Sequence, residues 1–236
     1  MKSTLQRARD RAYARAGRAN VAEDVRAAGP SRVAAFTRTG KNAPRGTRSN
    51  ERDKWGTPPE IVEVCRRVAT GAIGREVEFG LDPCAEGWSA KAPGFFTEED
   101  DGLVQSWLGY GDVFVNPPYS DVTPWFEKAT ETVEKAAETG EPTCVVVLSG
   151  VDTSTVWFKR FTALALQTSL LVPRIKYLPP AAVIEHARRL GTKPPSGNMR
   201  GSMISVFDSE RDEWGVEYGF PAIRVLNWKR LLEGKT

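Results

Sequence analysis

Apolar and polar positions change their spacing several times along this chain, and each change predicts an element. Ile61, Val64, Cys65 and Val68 recur every three or four residues after Thr57-Pro58-Pro59-Glu60, the spacing of one buried helix face. Thr57 suits the N-cap, Pro58 suits the first helical position, and Glu60 stands three residues after Thr57 as in a capping box. Val77-Glu78-Phe79-Gly80-Leu81 alternates and predicts a short strand. It stops at Asp82-Pro83, because proline removes a ladder donor. Val113-Phe114-Val115 predicts a second strand, ended by Asn116-Pro117-Pro118-Tyr119. A helix starting near Pro124 places Trp125, Ala129, Val133 and Ala136 on one face. Cys144 to Leu148 is continuously apolar, as in a strand covered on both sides. A helix over Thr155 to Leu164, a strand near Thr168–Val172 and an alternating strand from Met203 to Phe207 follow. Strands alternating with helices predict an α/β fold on a largely parallel sheet.

Charge separates the first 50 residues from the rest. They hold 12 Lys/Arg and 3 Asp/Glu, a net of +9, against +3 for the whole chain, so the remainder carries −6. The apolar residues of this segment are mostly alanine. Leu5 to Arg26 predicts at most a marginal helix, and Gly29 to Asn50 reads as linker or disorder. The domain boundary is therefore placed near residue 50, with a flexible basic arm over 1–50 and a folded domain over 51–236. A basic arm on a mildly acidic body suits an anionic polymer as partner, although a solubilising tail has the same composition.

The bulk properties narrow the setting. A chain of 236 residues with 40% hydrophobic composition can bury one sizeable core. It contains no run of ~18 apolar residues to span a membrane and no apolar amino-terminal stretch of a secretory signal. Cys65, Cys84 and Cys144 are sparse, and the single histidine, His186, lies in a charged helical stretch with Arg188 and Arg189 that predicts a surface position. A reducing cytoplasm and no metal are expected.

Asn116-Pro117-Pro118-Tyr119 carries the most specific chemistry. An exocyclic amino group on a base is a poor nucleophile, because its lone pair is delocalised into the ring. Acceptors facing its N–H bonds return electron density to the nitrogen. The Asn116 amide oxygen supplies one acceptor, and a main-chain carbonyl of the rigid Pro117-Pro118 step supplies another. Tyr119 offers an aromatic face to a base extruded from the duplex. The strand-ending turn Asp82-Pro83-Cys84-Ala85-Glu86-Gly87 has small side chains that allow a cofactor close approach, and Asp82 can accept hydrogen bonds from a cofactor amine or bound water.

These motifs, together with Trp55-Gly56-Thr57-Pro58-Pro59, Phe95-Phe96-Thr97-Glu98-Glu99-Asp100, Asp152-Thr153 with Trp157-Phe158, and Gly201-Ser202-Met203, resemble the phage-type (Dam-like) DNA N-6-adenine methyltransferase family from about Trp55 to Phe207. The resemblance implies a compact Rossmann-like fold dependent on S-adenosylmethionine, with double-stranded DNA as partner, in a bacterial or phage-infected cytoplasm. It implies Asn116, Pro117, Pro118 and Tyr119 as the catalytic loop. It implies Trp55, Thr57, Pro58, Asp82, Pro83, Cys84 and Ala85 as cofactor contacts. Glu86 stands where the family often has glycine, and the interval from Asp82 to Asn116 (116 − 82 = 34 positions) is short for a full methyltransferase sheet. The stretch Ala181 to Arg200 looks like an insertion or a segment adapted to this protein.

Around these motifs the sequence leaves several assignments open. Glu98, Glu99, Asp100 and Asp101 offer a carboxylate for the cofactor ribose, or a solvated turn. Arg174, Lys176 and Arg200 are candidate DNA-binding residues, the last within Asn198-Met199-Arg200. Trp157, Phe158 and Phe161 suit core packing, as do Trp214, Tyr218 and Phe220 for the carboxyl-terminal segment. The rival readings are a cytosine N-4 methyltransferase, an enzyme acting on RNA or protein glutamine, and a catalytically inactive DNA-binding protein. Target sequence and oligomeric state have no signature.

Overall fold

The structure, a computed structural model, describes residues 54–194, 200–210 and 222–235. The basic arm, Asn198, Met199, Trp214, Tyr218 and Phe220 lie outside the described residues. In chain order the elements are α1 (Pro59–Ile73), β1 (Phe79–Asp82), β2 (Gly94–Phe95), β3 (Asp112–Val115), α2 (Thr123–Thr139) and β4 (Cys144–Gly150). They continue with α3 (Val156–Leu164), β5 (Gln167–Val172), α4 (Ala181–Arg189), β6 (Ser202–Asp208), β7 (Ala222–Asn227) and α5 (Trp228–Leu232).

The strands form one mixed seven-stranded sheet in the order β2-β1-β3-β4-β6-β5-β7. Pairs β1–β2, β1–β3, β3–β4 and β5–β7 are parallel, and β6 is antiparallel to both β4 and β5. The predicted largely parallel α/β sheet is therefore present, with one reversed strand inside it. Because β6 runs backwards, its first residue Ser202 pairs with both Gly150 and Leu171. The start of β6 thus joins the carboxyl ends of β4 and β5 at the edge where β1 and β3 also end.

Two apolar clusters explain the continuous run in β4. Val146 and Leu148 pack with Phe114, Ile204 and the α1 residues Ile61, Val64, Cys65 and Val68, while α5 contributes Trp228 and Leu231. The alternate residues Val145 and Val147 pack with Val113, Val115 and Met203 beneath Phe126, Ala129 and Val133 of α2 and Phe158 and Phe161 of α3. Phe126 stacks on Phe161 at 4.9 Å between centroids, and Trp157 joins them as expected of a core residue, 5.6 Å from Phe126.

Local boundaries correct several expectations. Thr57 does not cap α1. The N-cap is the extended Pro58, with no side-chain capping bond, and the helix starts at Pro59. The reason is the double proline: a residue before proline is driven out of the helical region, so neither Thr57 nor Pro58 can begin the helix. In α2 the buried aromatic is Phe126, with Trp125 only partly buried. Thr155 does act as an N-cap, accepting from the Phe158 N–H at 3.3 Å. The first strand begins at Phe79 rather than Val77 and extends to Asp82. Between Asp82 and the start of β3 at Asp112 the chain forms only the two-residue β2. The first nine residues of the Ala181–Arg200 segment form α4, on which His186 is exposed.

Candidate active site

One pocket lies at the shared strand edge, and it unites motifs far apart in sequence. Trp55, Gly56 and Thr57 line it from the segment before α1; Asp82, Cys84, Ala85 and Glu86 from the turn after β1; Phe114 and Asn116 from the end of β3; and Lys54, Ser89 and Lys91 complete it. Of the residues expected to touch a cofactor, Trp55, Thr57, Asp82, Cys84 and Ala85 therefore meet Asn116. Pro58 and Pro83 are buried and do not line the pocket, and neither do Pro117, Pro118 and Tyr119. Sequence reading missed Lys54, Gly56, Ser89, Lys91 and Phe114 as lining residues. Lys91 lies nine positions from Asp82 with no periodic relation to it, so only the folded loop reveals the pairing.

Asp82 organises that loop. Its carboxylate accepts from the Lys91 N–H at 3.1 Å and the Cys84 N–H at 3.4 Å, and its carbonyl accepts from the Phe96 N–H. Burial pushes the acid up to about 6, against the opposing pull of these backbone donors and of Lys91. Gly102 completes the turn, because a Cβ there would meet the Pro83 carbonyl oxygen at 1.9 Å.

Asn116 stands at the end of a fully buried strand. Its side-chain oxygen is enclosed and has no hydrogen-bond partner among the described residues. A buried acceptor without a donor is costly unless a ligand supplies one. Behind it the loop folds back, with the Pro118 carbonyl accepting from the Asp121 N–H at 3.2 Å. Tyr119 turns its hydroxyl to that of Tyr177 at 2.5 Å, and burial holds it well above the usual tyrosine range.

The acidic run divides. Asp100 accepts from the Thr97 N–H and hydroxyl, both at 2.8 Å, and Asp101, at φ 51°, accepts from the Leu103 N–H. Both therefore serve their own turn. Glu98 instead shares Lys54 with Glu86, at 3.5 and 3.4 Å, which ties the turn after β2 to the pocket wall. Arg174 and Lys176 are exposed just beyond β5, and Arg200 pairs with Asp152 at 3.5 Å just before β6. All three cations thus belong to the same sheet edge as Asn116.

Cys65 and Cys144 are buried, Cys84 is half-buried in the pocket wall, and none of the three is in a disulfide. Among the described residues no group of three or more His, Cys, Asp or Glu is placed to hold a metal, and no helix is long and apolar enough to cross a membrane.

A mostly parallel α/β sheet whose strand ends bring an Asp-Pro turn against an Asn-Pro-Pro-Tyr loop is consistent with a methyltransferase-like fold. The profile described as DNA N-6-adenine-methyltransferase (Dam) matches residues 45–218. The chain belongs to that family. A DNA N-6-adenine-methyltransferase of Escherichia phage T1 is 29% identical over 107 residues, 45% of this chain and 40% of the phage protein. The chain therefore aligns with well under half the length of that relative. No solved structure matches it.

Proposed function

We propose that the protein transfers a methyl group from S-adenosylmethionine to the exocyclic amino group of adenine in double-stranded DNA, on a Rossmann-like fold. The observation that carries this reading is the enclosed, unpartnered Asn116 Oδ1 in the same pocket as the Asp82 turn. A pocket with an idle acceptor at one side and a small-residue turn at the other suits an amino nucleophile meeting a cofactor. Family membership supports adenine over cytosine.

The residues present fit the cofactor. The small Ala85 leaves clearance, and the half-buried Lys91 and the Lys54–Glu86 pair offer polar partners at the wall. S-adenosylmethionine, when bound, supplies an electrophilic methyl group on a sulfonium. The chain's own contribution is placement and electrostatics. Asn116 Oδ1 accepts one amino N–H, a carbonyl of the Pro117-Pro118 step accepts the other, and Tyr119 orients the base. Both acceptors strengthen their bonds as positive charge develops on the attacking nitrogen, which is where stabilisation accelerates the step. No covalent link to the enzyme is required. Arg174, Lys176 and Arg200 hold DNA phosphates on this reading. The phage relative supports action in the cytoplasm of an infected bacterium.

The test incubates the purified chain with labelled cofactor and unmethylated duplex DNA of varied sequence, digests the product to nucleosides and identifies the labelled base by mass spectrometry. N6-methyladenine from the wild type and none from Asn116→Ala is expected. Labelled cytosine would overturn the base assignment. No labelled nucleoside together with no cofactor binding by calorimetry would leave an inactive DNA-binding protein.

A further inference from the structure

Tyr177 lies outside every motif that the proposed reaction uses, yet it touches the catalytic loop. It follows β5 in Pro173-Arg174-Ile175-Lys176-Tyr177, where Ile175 and Tyr177 turn inward while Arg174 and Lys176 stay exposed. Its hydroxyl bonds that of Tyr119 at 2.5 Å and reaches the Ser202 hydroxyl at 3.4 Å. The two rings meet edge to face, 6.1 Å apart and at 90°. On another side Gly150 approaches Tyr119, since a Cβ built there would lie 3.4 Å from the ring.

These contacts meet the Tyr119 ring at its hydroxyl, through the edge-to-face Tyr177 ring and along its Cδ2–Cε2 side. The next residue after Tyr177 is fixed too: Leu178 exchanges both backbone hydrogen bonds with Gly56, at 2.9 and 2.8 Å. Gly56 lines the pocket, so one short segment is bonded to the pocket wall through Leu178 and to the catalytic loop through Tyr177. A base that must present its amino group to Asn116 needs an aromatic neighbour in one orientation. Rotation of an unanchored ring would spread the base over several poses and lower the reactive fraction.

We propose that Tyr177 is a positioning residue, whose hydroxyl fixes Tyr119 in the orientation that receives the target base, with Ser202 as its second anchor. The proposal rests on the methyltransferase reading above. A Tyr177→Phe change keeps the ring and its packing but removes the hydroxyl.

The experiment measures methyl transfer to duplex DNA by the full chain as wild type, Tyr177→Phe, Tyr119→Phe and the double variant, with cofactor affinity by calorimetry. Tyr177→Phe is expected to lower kcat about tenfold while cofactor Kd stays within about twofold. The double variant is expected to be no slower than the slower single variant, as two ends of one bond require. A loss confined to kcat, with cofactor Kd unchanged, is a signature that a merely structural ring would not give. An active wild type with an equally active Tyr177→Phe would overturn the positioning role alone. Additive losses in the double variant would also overturn it, whereas an inactive wild type would remove the functional reading and the proposal together.

Discussion

The carboxylate of Asp112 receives both terminal nitrogens of Arg75, at 2.8 and 2.7 Å, and in addition accepts from the backbone N–H groups of Glu78 and Cys144. Asp112 is buried and Arg75 about one third exposed. The cluster sits where β3 and β4 begin, at the opposite end of the sheet from Asn116. Removing the acid would strand a buried N–H and an arginine whose protonated form the carboxylate strongly favours.

Asp112→Ala is therefore expected to destabilise the fold by about 3 kcal/mol, with the partial exposure of Arg75 keeping the cost near the lower end for a broken buried pair. Urea unfolding would measure it. Methyl transfer per folded molecule should remain near wild type, since the strand ends that carry the site are distant.

Asp82 predicts a pH dependence of known sign. Its folded value of about 6 lies above the unfolded 3.8 because burial disfavours the charged form. The contribution to stability is thus fully present below about 3.8 and is lost as pH rises to about 6. Relative to Asp82→Asn, which cannot ionise, the wild type is expected to lose roughly 2–3 kcal/mol of unfolding free energy across that window and none above it. A difference that stayed flat from pH 4 to 6 would contradict a buried Asp82.

Gly102 is needed for what it lacks. A methyl group there would press within 1.9 Å of the Pro83 carbonyl oxygen, and Trp107 further holds this turn by donating from Nε1 to the Gly102 carbonyl at 2.8 Å. Gly102→Ala must displace the turn that carries Asp82 and Cys84. A fall in cofactor affinity of at least tenfold is expected by calorimetry, along with destabilisation of about 1–3 kcal/mol.

The exposed cations at the site edge make a prediction of a different kind. Arg200 and Asp152 are paired at 3.5 Å on the surface, 66% and 32% exposed, so Arg200→Ala should change stability by less than about 1 kcal/mol. If Arg174, Lys176 and Arg200 each hold a phosphate, each alanine variant should weaken binding evenly across DNA sequences. Each should also reduce the slope of log affinity against log salt by about one. An unchanged slope would remove that residue from the DNA interface.

Much of this protein is legible from local pattern alone, for a physical reason. A strand covered on both faces must be apolar throughout, so Cys144 to Leu148 announced β4. Proline cannot continue a ladder, so Asp82-Pro83 and Asn116-Pro117 marked where chemistry leaves the sheet. Those are short-range constraints written in consecutive residues, and they led to the family and to Asn116. What the sequence left undecided depends on long-range pairing. Nothing near Ser202 shows that β6 runs backwards between β4 and β5, yet that reversal brings Arg200 and Ser202 to the edge of Asn116, where the end of β5 delivers Arg174. The two-residue β2 is too short to have a period, and Lys91 meets Asp82 only through loop closure. Tyr177 reads as a member of a basic stretch until the alternation after β5 turns it inward to the hydroxyl of Tyr119. Side-chain chemistry was set by the sequence; which side chains share a pocket was decided by strand order and register.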